Sequence, residues 1–356
     1  MGIVTDWFRR YLSDPQLVFL TLLLLALFAV VLTMGNMLAP VLASMVIAYL
    51  LEGPVGFCER RGLGRTASVL VVYVGFLLFV ALFLFGVLPL LSRQVTDLVQ
   101  QLPTMINEGT RALAELPGRH PDLVTAEQID EVIGALRTEA VAFGQRVLSW
   151  SLAGVVGFIT VLVYLVLMPL LVFFFLKDKD LILGWFRQYL PEYRRIADSV
   201  WAEVDRQVSN YIRGKFWEIL IVWAANYITF LVFGLDYAML LALLVGLSVI
   251  VPYVGAVVVT VPVVLIAWFQ WGWSGEFIWF GAVFAVVQAL DANILVPLLF
   301  SEVVDLHPVA IIVAILVFGG LWGFWGVFFA IPLATLVHAI LTAWPRWPAG
   351  GGQHPS

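Results

Sequence analysis

The polar residues that could do chemistry are few, and they stand out against apolar neighbours. Gln288, Asp291 and Asn293 occur in the stretch Val-Gln-Ala-Leu-Asp-Ala-Asn-Ile-Leu-Val-Pro. On a helix Gln288 and Asp291 share a face at i, i+3, with Asn293 turned away. An ionisable side chain at membrane depth is expensive and usually faces a cavity, so Asp291 is read either as a cation or proton carrier or as a helix cap at the cytoplasmic interface. Pro252, Tyr253 and Gly255 interrupt another apolar run. A break there exposes carbonyls before Pro252 and amides after it, which can bind ions or polar solute groups; a plain hairpin is the alternative. Glu302, Asp305 and His307 precede Pro308 in a short loop that could coordinate a cation, titrate near neutral pH, or simply be a solvated turn. Gly319, Gly320, Gly323 and Gly326 lie inside an apolar run, where Gly-x-x-x-Gly permits close helix approach and a packing role, as does Pro332 further on.

These residues sit in a chain that cannot cover a water-facing surface. Of 356 residues, 62% are hydrophobic and 12% charged, and the mean hydropathy is +1.00. Soluble domains carry roughly twice that share of charge. The chain therefore reads as all-α, a polytopic membrane bundle. Its net charge of −5, with no basic domain, excludes nucleic-acid binding. A single cysteine, Cys58, forms no intramolecular disulfide and has no partner at ligand spacing, so neither metal nor cofactor is expected. No His-Glu-x-x-His, Gly-x-Ser-x-Gly or Walker loop occurs, which makes an enzyme or a P-loop ATPase unexpected.

Spanning helices need about 20 apolar residues. Candidate spans cover 17–38, 40–51, 67–91, 152–176, 216–235, 238–251, 254–271, 277–300 and 309–341, the second short and the last long enough to be broken. Together they amount to about eight transmembrane helices, with broken or re-entrant segments in the C-terminal half. The organisation expected is N-terminal transmembrane helices over 1–91, an extracytoplasmic amphipathic insertion over 92–149 and a transmembrane helix over 150–176. A cytoplasmic amphipathic segment over 177–212, a C-terminal core over 213–343 and a disordered tail over 344–356 follow. The 92–149 insertion pairs a helix around Val95, Leu98, Leu102, Met105 and Leu113 with a second marked by Ile129, Val132, Ile133, Leu136, Ala140, Phe143 and Val147. A turn at Pro117–Pro121 and a capping-box-like start at Thr125 separate them. Ile196, Val200, Val204, Val208 and Ile212 repeat every four residues, a stripe for the membrane surface or a neighbouring subunit. Lys and Arg flank the first spans and fill 177–215, then vanish from Trp217 to Pro345, which places the N-terminus in the cytoplasm.

With these residues in view, the chain resembles the autoinducer-2 exporter family of bacterial permeases, most closely its PerM-like branch. The resemblance rests on residues 291–340, beginning DANILVPLLFSEVVDLHP, on VPYVGA at 251–256, and on YIRGK at 211–215, which contains Tyr211, Arg213 and Gly214. It departs from the family's common acidic-Pro-Lys form in having no lysine in residues 291–297. The resemblance implies an inner-membrane location, assembly as a homo-oligomer in lipid, and a small-molecule or ion substrate. Three readings stay open: a secondary transporter with a site at Pro252, Tyr253, Gly255, Gln288 and Asp291; a sodium or lithium/proton antiporter; and a non-transporting scaffold.

Overall fold

A computed structural model describes residues 15–114, 154–188, 195–252, 254–300 and 307–343, together with Glu131, Gly134, Thr138, Ala142 and Gln145. The described residues form helices connected by turns, with no strand among them. Five helices are long and apolar enough to cross a bilayer: Met37–Arg60, Arg65–Arg111, Asp205–Phe233, Val254–Trp271 and Gly275–Phe300. Val163–Lys177, Ala238–Ser248 and Val309–Trp322 are shorter and equally apolar. Many large apolar side chains along these helices point outward, among them Leu82, Phe85, Val232, Val257 and Leu316. In water that surface would be prohibitive; in lipid it costs nothing, because only the backbone must be satisfied internally.

The first helix, α1 (Pro15–Arg60), runs unbroken through Pro40 and Pro54, so the spans read from the sequence at 17–38 and 40–51 are one rod. Each proline removes one backbone donor, a loss that a helix packed in protein or lipid tolerates. Just past Pro40, Ser44 is fully buried and its hydroxyl reaches both Pro40 O (2.6 Å) and Met168 O (3.2 Å). That contact brings α1 against α4 (Gly154–Lys177). Between them in sequence, α2 (Arg65–Leu82) continues through a π-helical turn at Phe83–Val87 into α3 (Leu88–Ala114), so the boundary expected at residue 91 lies inside a single rod. Of the second helix of the 92–149 insertion, only the isolated residues named above are described, all helical. Its apolar stripe, the Pro117–Pro121 turn and Thr125 lie outside the described residues.

At one end of α1, α2 and α4 an ion network ties the rods together. Arg65 forks onto Glu52 with two N–O distances of 3.0 and 3.1 Å, donates to Leu176 O at 2.7 Å, and lies 3.4 Å from Glu59. Lys179, which opens the short helix α5 (Lys179–Arg187), reaches Glu52 at 3.4 Å. Beside it Ala48, Val55, Val69, Val172 and Leu176 form an apolar core.

The second half is organised by α6 (Arg195–Phe233), which crosses residue 212 without a break. The side chains of Ile196, Val200 and Val204 are outside the described residues, whereas Val208 and Ile212 turn inward toward the C-terminal helices. Against α6 packs a helical hairpin, α7 (Ala238–Ser248) and α8 (Val254–Trp271). Its two open ends are clamped by Gln270, which donates to Gly234 O and accepts from Asp236 N, both at 2.8 Å. Gln94 on α3 accepts from Leu240 N at 2.8 Å, capping the start of α7. The stretch 238–271 is thus a hairpin and not one discontinuous helix. Next come α9 (Gly275–Leu290), a π-turn over Asp291–Leu295, and α10 (Val296–Phe300) in one rod. The last of the described helices form a second hairpin, α11 (Pro308–Trp322) against α12 (Phe324–Phe328) and α13 (Ala330–Ala343).

Both hairpin tips depend on glycine. A Cβ on Gly255 would fall inside the carbonyl of Ser248, and one on Gly326 inside the carbonyl of Phe318. The chain reverses at Gly323 with φ 59°, a left-handed conformation that glycine adopts at no steric cost.

Candidate functional site

One face of α6 carries Tyr211, Lys215, Glu218, Val222, Asn226 and Phe230, at successive spacings of three or four residues. All six are buried. The rod α9–α10 runs antiparallel to this face. Phe230 meets Phe280 and Phe284 at centroid distances of 5.7 and 5.9 Å, while Gly214, sixteen residues earlier, leaves just enough room for Phe300. Antiparallel register therefore sets Gln288 and Asp291 beside the stretch Glu218–Asn226.

Lys215 is the hub. Its Nζ donates to Glu218 Oε2 and to Val249 O, each at 2.7 Å, and stands 5.1 Å from the Phe300 ring centre. Val249 is the C-cap of α7. The ammonium thus meets the negative end of a helix dipole as well as a carboxylate. One turn earlier, the Tyr211 hydroxyl donates to Phe328 O at 2.9 Å, where α12 ends. Two side chains of one helix face thereby hold the carbonyls of both hairpins. Ile250, Phe300, Ile311, Phe328 and Ile331 close around them. In hydrocarbon such bonds contribute on the order of 0.6 kcal/mol each, up to about 1.7.

Asp291 opens the π-turn and lies close enough to interact electrostatically with both Lys215 and Glu218. One cation thus faces two carboxylates. Three buried side-chain oxygens in this region, Asn226 Oδ1, Gln288 Oε1 and Asp291 Oδ1, have no hydrogen-bond donor among the described residues. Asn226 Nδ2 is used on its own helix, at 2.8 Å from Val222 O. Buried acceptors without donors are costly, so a hard cation or a proton is the natural complement of this oxygen set. A π-turn within a long helix commonly marks such a functional position. Among the described residues no three His, Cys, Asp or Glu side chains gather into a metal-binding group.

The other residues singled out from the sequence are placed as follows. Gly255 is buried in the hairpin tip beside the half-exposed Pro252, and Tyr253 lies outside the described residues. Asn293 is exposed and donates to Ala289 O at 2.8 Å, apart from the cluster. His307 caps α11, its Nδ1 accepting from Val309 N at 3.2 Å. Glu302 and Asp305 lie outside the described residues. Gly319 faces Val327 across the second hairpin, Gly320 borders open space, and Pro332 is buried in α13. Arg213 is half-buried beside Gly53. Glu218 and Asn226 were not legible as site residues; the available signal was a Lys-x-x-Glu pair directly preceding a long uncharged run.

An apolar bundle with two clamped hairpins and a buried ionic cluster defines a multi-pass helical membrane protein. The family model for the AI-2E family transporter matches residues 18–346, and the chain belongs to that family. It is 48% identical over 348 residues to the Escherichia coli (strain K12) protein named "Putative permease PerM", covering 97% of this chain and 98% of that one. It is 29% identical over 305 residues to "Putative transport protein YrrI" of Bacillus subtilis (strain 168), covering 85% of each. A transport protein of Thermotoga maritima, likewise named as putative, is 24% identical over 328 residues, covering 92% of this chain and 94% of the relative.

Proposed function

We propose that this protein is a secondary transporter of the bacterial inner membrane, with a cytoplasmic N-terminus, that moves a small solute in exchange for a proton or sodium ion. The observation that carries the reading is the buried oxygen set of Asn226, Gln288 and Asp291 beside a Lys215–Glu218 pair. With Lys215 and Glu218 neutralising one another, Asp291 is the surplus charge, and one monovalent cation or proton balances it. Because Lys215 also holds Val249 O at the tip of the α7–α8 hairpin, a change of charge at Asp291 acts on the same ammonium that positions the hairpin. That linkage is how ion binding would bias which side of the membrane the site faces.

A pure sodium or lithium/proton antiporter is the second reading, favoured by the fact that the unpartnered acceptors beside Lys215 are hard oxygens. Assembly as a homo-oligomer accompanies either reading. The experiment is proton and sodium movement in proteoliposomes of the purified chain, native against Asp291→Asn. Loss of flux in the variant supports coupling at Asp291. Flux of native size and pH dependence in Asp291→Asn removes that role, and proton movement driven by sodium with no added solute favours the antiporter.

A further inference from the structure

A cavity lies at the end of the bundle where Arg65 ties α1, α2 and α4, lined by none of Lys215, Glu218 and Asp291. Its volume is about 210 Å³, and it is bounded by α1, α4, α5 and α6. Four aromatic rings contribute to its wall: Tyr49, Phe175, Phe186 and Trp201. Two carboxylates do so as well, Glu52 and Asp205. Trp201 and Asp205 are four residues apart on α6 and so present one face.

The two carboxylates differ in their partners. Glu52 is held by the Arg65 fork and by Lys179, so its charge is met. Asp205 accepts from the Tyr49 hydroxyl at 2.6 Å, a neutral donor that orients the carboxylate without cancelling its charge. Among the described residues the remaining charged group of the lining, Lys179, is turned to Glu52 and substantially exposed. Aromatic faces carry negative electrostatic potential, and rings sharing a cavity wall with an acidic group attract an organic cation; Phe186 and Trp201 are more than half exposed and stand at its open side. An anion would meet Asp205 and the ring faces, both repulsive to it. The aliphatic part of the wall, from Met45, Ile182 and Leu183, suits the alkyl groups of such a cation.

We infer that this cavity is a binding site for a small alkylammonium group, with Asp205 as its counter-ion and Trp201, Tyr49 and Phe186 as its cage. The site is independent of any role for Asp291. The same chemistry is offered by a soluble quaternary amine and by the ammonium headgroup of a membrane lipid.

The test is equilibrium dialysis of radiolabelled choline against the full chain in nanodiscs of phosphatidylglycerol, which carries no ammonium. Saturable binding is expected, with the neutral isostere 3,3-dimethylbutan-1-ol competing about tenfold more weakly or worse. Asp205→Asn is expected to lower choline affinity by about tenfold and to abolish the preference over the isostere. Trp201→Leu should weaken binding, while Trp201→Phe should retain most of it. An Asp205 that merely held α1 to α6 would weaken both ligands alike. Absence of saturable binding, equal competition by the isostere, or an unchanged preference in Asp205→Asn would overturn the proposal. Repetition in phosphatidylethanolamine nanodiscs assigns the source: reduced choline affinity there supports a lipid headgroup, and equal affinity supports a soluble amine.

Discussion

The Arg65 network and the Lys215 cluster are both ionic, yet they are built on opposite terms. Around Arg65 the charges are plentiful and partly exposed, with side-chain exposures of 30% for Arg65 and 24% for Glu52, and the fork meets both Glu52 oxygens. Around Lys215 the exposures are 6% and 3%, and among the described residues one cation serves two nearby carboxylates and three oxygens lack donors. A satisfied network at the rim fixes rods relative to one another. A buried network short of one cation is the feature on which the proposed coupling role rests.

The largest effect expected comes from breaking the buried pair on one side only. Lys215→Met leaves Glu218 buried and uncompensated, a loss of about 3–5 kcal/mol, read as a sharp fall in thermal stability of the purified protein. Adding Glu218→Leu should recover much of it, because no stranded charge remains. If the double variant is no more stable than the single one, the stranded-carboxylate explanation is wrong.

Next in size are the hairpin tips. Gly255→Ala and Gly326→Ala each force a carbonyl aside, costing about 1–3 kcal/mol as overpacking does. Thermal melts measure the loss, and the Gly320→Ala control, with open space at its Cβ, should melt like the native chain. Equal melting of all three variants would mean that the tips are not close-packed.

Smaller again is the rim. Arg65→Gln should cost no more than about 1 kcal/mol, since partly exposed ion pairs contribute little, and a melt several times more perturbed would erase the contrast drawn here. Smallest is Asn293→Ala, expected to be neutral in stability and flux, in contrast to Asn226→Ala, whose carboxamide is fully buried. Matching flux defects in the two asparagine variants would disconnect the α6 face from function.

Much of this contrast was visible in the residues themselves. Apolar runs identify the rods, and the three-residue spacing of Gln288 and Asp291 is the sequence signal for a shared face; each has a buried oxygen, and Asn293 is exposed. The glycines of 319–326 mark a break, although only the fold shows that Gly326 meets Phe318 O and makes a hairpin. What local sequence could not reveal is tertiary. Lys215 finds Val249 O thirty-four residues on, Tyr211 finds Phe328 O, and Gln94 caps a helix 146 residues away. The break read at Pro40 is likewise absent, because the packed helix α1 runs straight through it, and α6 is one helix on both sides of residue 212.

The most direct test sets the two regions side by side in one assay: cation-coupled proton flux and thermal melting for Asp291→Asn and Arg65→Gln, each in proteoliposomes beside the native chain. Asp291→Asn should abolish flux while leaving the melt near native, and Arg65→Gln should shift the melt slightly while leaving flux intact. Native flux in Asp291→Asn, or flux lost in Arg65→Gln with its fold preserved, would contradict the assignment of coupling to the buried cluster.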